Sequence, residues 1–271
     1  MSRLCQYCKS PLSKKPGQMN CPKCKMLNLP NSGPDARPES ILLSDVKNTE
    51  ELKRINVGFL NVMFGGGLAE TSVNLIAGPP GAGKTSLFLM LCDMVLEQIP
   101  KGEALYIANE QTDKELELYA KRLKIERLNR IRILNAMGGF QRDLGDILLE
   151  YKPILIILDS LTKMISEDNP EAGAIFVERF KEYTVSLKAP TLIVNQITKD
   201  GSHAGLNKVL HAGDALFYLD MDHTGKREFS SDKNRFGEAP LSLFMYMMPD
   251  GSERPGYLVP IDDGNEEEDD E

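Results

Sequence analysis

The stretch GPPGAGKT at 78–85 constrains this chain more than any other. It joins an apolar run, VNLIA (73–77), to a second one, SLFLMLCDMVL (86–96). Glycines at these spacings let backbone N–H groups turn inward around an anion, and a helix starting directly after them adds the positive end of its dipole. GxxxxGK[ST] between a strand and a helix is the pattern of a nucleotide phosphate loop. Gly78, Pro79, Pro80, Gly81, Ala82, Gly83, Lys84, Thr85 and Ser86 are therefore the candidate ATP-binding residues. Lys84 would reach the β- and γ-phosphates, and the Thr85 hydroxyl would bind Mg²⁺.

A phosphate loop of this kind belongs to a parallel sheet, and the rest of the sequence supplies one. ALYIANE (104–110), RIRILN (130–135), ILIILDS (154–160) and TLIVNQI (191–197) are near-continuously apolar, as strands buried on both faces should be. Amphipathic stretches such as TDKELELYAKRL and AGAIFVERFKEYTVSL separate them. The alternation predicts an α/β fold with a mostly parallel sheet flanked by helices. Two later runs, ALFYLDM (215–221) and LSLFMYMM (241–248), read as a terminal hairpin joined by a long loop containing DKNRFG (232–237).

Three strand ends carry groups suited to phosphate chemistry. Asp159 ends ILIILDS, where an acid holds Mg²⁺ through its water shell. Glu110 ends ALYIANE, where a carboxylate would orient and deprotonate an attacking water; the alternative is an ordinary acid at the start of the helix TDKELEL. Gln196 ends the next run, where its amide would contact a γ-phosphate, or serve only structure.

The 271 residues accommodate one large α/β domain and a small module. No apolar run approaches the ~20 residues of a membrane span, and the start MSRLCQYCK lacks a signal-peptide core, so a soluble intracellular protein is expected. The net charge of −8 comes from the end of the chain, where DDGNEEEDDE holds eight acids; without them 32 bases face 32 acids. A neutral body leaves nucleic-acid binding open. The tail reads as a solvated end or as a mimic of nucleic-acid charge.

Cys5, Cys8, Cys21 and Cys24 form two CxxC pairs separated by twelve residues. Four thiolates so spaced close a tetrahedron around Zn²⁺, and the polar segment between them has little core of its own. The expected organisation is a zinc module at 1–28, a linker rich in Pro, Ser and Asn at 29–49, an ATPase domain at 50–260 and an acidic tail at 261–271.

The chain resembles the RadA/Sms family of bacterial recombination and repair proteins, collinearly from residue 5 to about 250. The resemblance rests on the cysteine pairs, RINVGFLNVMFGGGL (54–68), the phosphate loop, ALYIANEQ, ILIILDS, ITKDGSHAGLNKVLHAGD and KNRFG, the last being the most specific. It implies a RecA-like P-loop fold and a hexameric, ring-forming, DNA-stimulated ATPase that moves on single-stranded DNA as a helicase or branch-migration motor. It also implies a RecA-type recombinase as partner, and the cytoplasm of a bacterial or phage-infected cell as location.

Residue by residue, it assigns Glu110 the catalytic carboxylate. ITKDGSHAGLNKV (197–209) becomes a first DNA-facing loop, with Lys199 and Lys208 on phosphates. TGKREFSSDKNRFG (224–237) becomes a second, supplying Lys226, Arg227 and Lys233, while His203 and Phe229 are placed to stack on bases. Cations of this second region, Lys233 and Arg235, reach the ATP of the adjacent subunit. The chain departs from the family in two places. It has the acidic tail where a Lon protease-like domain would begin, and Asn195-Gln196 where Gly-His is usual. A DnaB-like replicative helicase and a KaiC-like nucleotide-switched scaffold remain as alternatives.

Overall fold

The computed structural model describes residue 10 and residues 52–137, 144–161, 170–195, 209 and 211–261. The chain divides into two compact units, residues 52–141 with 151–271, and residues 1–51 with 142–150. The cysteine pairs, the linker and residues 262–271 of the acidic tail lie outside the described residues.

The larger unit opens with a two-stranded antiparallel ribbon of β1 (Arg54–Ile55) and β2 (Leu68–Ala69). Next come β3 (Val73–Ala77), α1 (Lys84–Gln98), β4 (Ala104–Ala108), α2 (Asp113–Arg122) and β5 (Ile131–Asn135). Helix α3 (Leu144–Tyr151) falls in the smaller unit for all but its last residue. β6 (Leu155–Asp159), α4 (Pro170–Leu187), β7 (Thr191–Asn195), β8 (Ala215–Met221), β9 (Arg227–Asn234), β10 (Leu241–Met247) and β11 (Leu258–Pro260) complete the chain.

Nine strands form one sheet in the order β11-β10-β9-β8-β3-β7-β6-β4-β5. The five runs expected to be parallel strands are so, and β8 joins them in parallel beside β3. Every residue of β3, β4, β6 and β7 is buried, which explains their mostly apolar sequences. Register aligns Ala77 with Asn195 and Ala108 with Asp159, so these four strands end level along one edge of the sheet. Helix α1 is apolar on nearly all sides and lies in the core, from Leu87 through Leu96.

The expected terminal hairpin is corrected to a three-strand meander. REFSSDKN, read as part of a mobile loop, is strand β9, paired antiparallel with both β8 and β10. Its polar composition hides a period of two: Phe229 and Ser231 are buried, while Glu228, Ser230 and Asp232 alternate with them and are more exposed. Small serines fit between two strands without displacing either. Only Asp222–Lys226 and Arg235–Pro240 remain as connections.

This changes the reading of Phe229. Its ring is fully buried, stacked on Phe217 at 5.1 Å between centroids and 6.2 Å from Phe64. Burying a phenyl ring stabilises the fold by about 2–3 kcal/mol, and a ring so enclosed cannot stack on a nucleic-acid base. Among the described residues no helix is long and apolar enough to cross a membrane.

Candidate nucleotide site and distal cations

The phosphate loop leaves β3 in close contact with β8. A Cβ at Gly78 would stand 2.0 Å from the carbonyl oxygen of Leu219, so no larger residue lets the chain turn away there. Beside Gly81, by contrast, no atom lies within 4 Å of where a Cβ would be, which leaves room for a ligand. The loop ends at Gly83, the N-cap of α1, which offers no side-chain acceptor, and the first turn holds no acid. The N–H groups at that helix start therefore suit an external anion. Helix α2 is built the other way: Thr112 and Glu115 form a capping box, with Glu115 N–H donating to Thr112 Oγ1 (3.3 Å) and Thr112 N–H to Glu115 Oε2 (2.7 Å). Glu110 is thus not needed to start that helix.

Lys84 folds back over the loop, donating from Nζ to the carbonyls of Gly78 (2.7 Å) and Pro79 (2.8 Å). Burial lowers its pKa, opposed by the charges of Asp159 and Glu110. The lysine and the two carboxylates thus lie within each other's fields, as their positions at one strand edge predict. Thr85 Oγ1 accepts a long hydrogen bond from Gln111 Nε2 (3.4 Å). Ser86 is buried in the first turn of α1.

A hydrogen-bonded frame that the sequence reading did not identify holds the acids. Tyr106, buried on β4, donates its hydroxyl to Asp159 Oδ2 at 2.7 Å. Burial, with the Asp159 charge alongside, raises the phenol pKa well above its ordinary value, so it remains a donor. Asn109 and Ser160 exchange two bonds, Ser160 N–H to Asn109 Oδ1 (2.6 Å) and Asn109 Nδ2 to Ser160 O (2.7 Å), which tie the ends of β4 and β6 together. The Ser160 hydroxyl donates to Glu110 Oε1. The sequence carried a sign of this frame, since Asn109 and Ser160 are the polar neighbours of the two acids. Gln196 lies outside the described residues; Asn195 before it ends β7 opposite Ala77.

The cations assigned to a single second loop fall at two ends of β9. Lys226 and Arg227 stand at its start, on the edge that carries the phosphate loop, because β9 runs antiparallel to β8 and β8 parallel to β3. Lys226 Nζ sits 4.0 Å from the centre of the Phe244 ring. The Arg227 guanidinium donates to Gly225 O and lies against Met247 Sδ (3.7 Å). Lys233 and Arg235 are at the opposite edge, where Lys233 pairs with Leu216. Lys233 follows Lys226 by seven residue steps of extended chain, roughly 23 Å. Lys199, His203 and Lys208 lie outside the described residues.

KNRFG divides its contacts by residue. Asn234 Nδ2 donates to Met63 O (3.0 Å), and Phe236 N–H donates to Asn234 Oδ1 (2.9 Å). Gly237 meets Gly65 so closely that a Cβ on Gly65 would come within 2.2 Å of Phe236 O. The glycines of FGGG and KNRFG are thus two halves of one contact. Lys233 Nζ donates to Gly213 O (2.6 Å) and His211 O (3.0 Å). Its pKa is lowered by burial first, and then by the charges of Arg235 and Lys181. Arg235 faces Asp214, its Nη1 lying 3.4 Å from Oδ1.

A family model described as an AAA domain matches residues 60–202. The DNA repair protein RadA of Aquifex aeolicus is 32% identical over 86% of this chain and 55% of its own length. The DNA repair protein RadA of Chlamydia muridarum is 30% identical over 91% of this chain and 57% of its own. The chain therefore spans somewhat more than half the length of these relatives. Among solved structures, the KaiC-like protein PH0186 of Pyrococcus horikoshii superposes with a TM-score of 0.61 at 15% identity, covering 78% of this chain and all of that one. That likeness confirms a RecA/KaiC-like P-loop fold with a mixed, mostly parallel sheet.

Proposed function

Since this chain belongs to the RadA family and carries an AAA domain, we propose that it hydrolyses ATP under the control of single-stranded DNA, as a translocating motor of recombination or repair in the cytoplasm. The observation that carries the ATPase reading is the convergence at one sheet edge. An α1 start without a side-chain cap, Lys84, and the carboxylates of Asp159 and Glu110 all meet there.

Thr85 and Asp159 present only oxygen donors, the set that suits Mg²⁺; when bound with ATP, the ion would neutralise charge on the β- and γ-phosphates. Lys84 exchanges its two loop carbonyls for phosphate oxygens. Tyr106 fixes one oxygen of Asp159, and Ser160 orients Glu110 to take a proton from the attacking water. Gln196 contacts the γ-phosphate.

Lys233 and Arg235 are a sheet's breadth away from their own phosphate loop, so the site they serve is that of the next subunit in a hexameric ring. Lys199, His203 and Lys208, with Lys226 and Arg227 at the phosphate-loop end of β9, supply the cations and the ring that track the DNA strand. A RecA-type recombinase is the proposed partner. The expected result is hydrolysis that rises several-fold with single-stranded DNA and loses that response as salt increases.

Cys5, Cys8, Cys21 and Cys24 are proposed to hold one Zn²⁺. Metal analysis of freshly purified protein is expected to give one zinc per chain, and a value well below that contradicts the assignment.

A further inference from the structure

Asp214 is almost wholly buried, with a side chain 2% exposed, and it stands where the chain enters β8. Its Oδ2 accepts the N–H of Val73, the first residue of β3, at 3.1 Å. Its Oδ1 is shared by two cations, Lys181 from α4 and Arg235 from the end of β9. The two contacts differ. Lys181 is drawn close, whereas Arg235 touches through Nη1 alone at 3.4 Å and is 57% exposed. The backbone adds a second hold, Arg235 N–H to Asp214 O at 3.1 Å. Arg235 is thus anchored at its main chain and at one guanidinium nitrogen, while more than half of its side chain is exposed.

A lone arginine on a connecting segment samples many rotamers, and each lost rotamer has an entropic cost when it meets a phosphate. A carboxylate that holds one nitrogen and leaves the others free narrows that sampling without blocking the fork. Lys181 shares the same oxygen and so competes with Arg235 for the carboxylate.

We propose that Asp214 is a positioning residue for Arg235, with Lys181 setting how firmly the carboxylate grips it. This rests on the reading of Arg235 as a group that acts on the adjacent subunit's ATP. Asp214 itself, almost wholly buried, touches no nucleotide.

The test is a double-mutant cycle on steady-state ATP hydrolysis by the assembled protein, with kcat and KM measured separately. Asp214→Asn keeps an oxygen for the Val73 N–H and removes the charge. It is expected to lower kcat about tenfold, with KM unchanged. Arg235→Ala is expected to lower kcat further, and the double variant to be no slower than Arg235→Ala alone. If Arg235→Ala is slow but adding Asp214→Asn multiplies the loss, Asp214 does not act through Arg235 and this proposal falls. If Arg235→Ala turns over at the wild-type rate, the role given to Arg235 falls, and the positioning role with it.

Lys181→Met covers the case in which Asp214→Asn does not fold. It leaves the whole carboxylate to Arg235, so kcat is expected at or above the wild-type value. A loss of about tenfold there would mean that Asp214 is only a tie between α4 and the sheet, and would overturn the proposal.

Discussion

Lys84→Ala is expected to lower the rate of ATP hydrolysis by on the order of 1,000-fold or more, the scale set by removing a cation from a transferring phosphoryl group. Lys84 Nζ donates to the Gly78 and Pro79 carbonyls. Those carbonyl contacts are replaceable by water. Burial already disfavours the ammonium, so the variant is expected to keep its fold and its thermal midpoint. Turnover is measured by phosphate release and folding by circular dichroism. A folded Lys84→Ala protein that hydrolyses ATP at the wild-type rate would remove the ATPase assignment.

Lys233→Ala and Arg235→Ala are each expected to reduce turnover by about 100-fold while ATP binding is largely kept, because neither residue lies on its own chain's nucleotide edge. The cost should fall on chemistry and spare affinity. The geometry makes a stronger prediction in mixtures. A ring containing both Lys84→Ala and Arg235→Ala subunits has some junctions where an intact phosphate loop faces an intact Arg235, and those junctions should hydrolyse ATP. Two nearly inactive proteins are thus expected to regain activity on mixing. The experiment is a titration of one variant into the other, with mixed rings verified by distinguishable tags. No recovery at any ratio would contradict action across subunits.

The parallel core could be read from the sequence because a strand buried on both faces is largely apolar; VNLIA, ALYIA and LIILD are such runs, with buried Asn74 satisfied by hydrogen bonds to Ser72 Oγ and Thr191 O. The phosphate loop was equally legible, since its glycines answer to steric limits that the structure displays at Gly78. Strand β9 was not. REFSSDKN alternates, but its buried positions are one phenylalanine and a serine, and its charges suggested a loop. The same oversight put Phe229 on DNA and joined cations that stand at opposite ends of a strand.

What supports the acids could not be read either. Tyr106 lies 53 residues from Asp159 in sequence, and only the register of β4 against β6 brings them together. Asp214 is similar: nothing in HAGDALF marks its carboxylate as shared between α4 and the end of β9. Residues that do the chemistry sit in local patterns, whereas residues that hold them are brought in by topology.

The central claim, that DNA controls hydrolysis here, is tested most directly by phosphate release from wild-type protein with and without single-stranded DNA across a range of salt. The account predicts a several-fold increase with DNA at low salt that shrinks steadily as salt rises. An unchanged rate with and without DNA at every salt concentration, in protein that hydrolyses ATP, would contradict it.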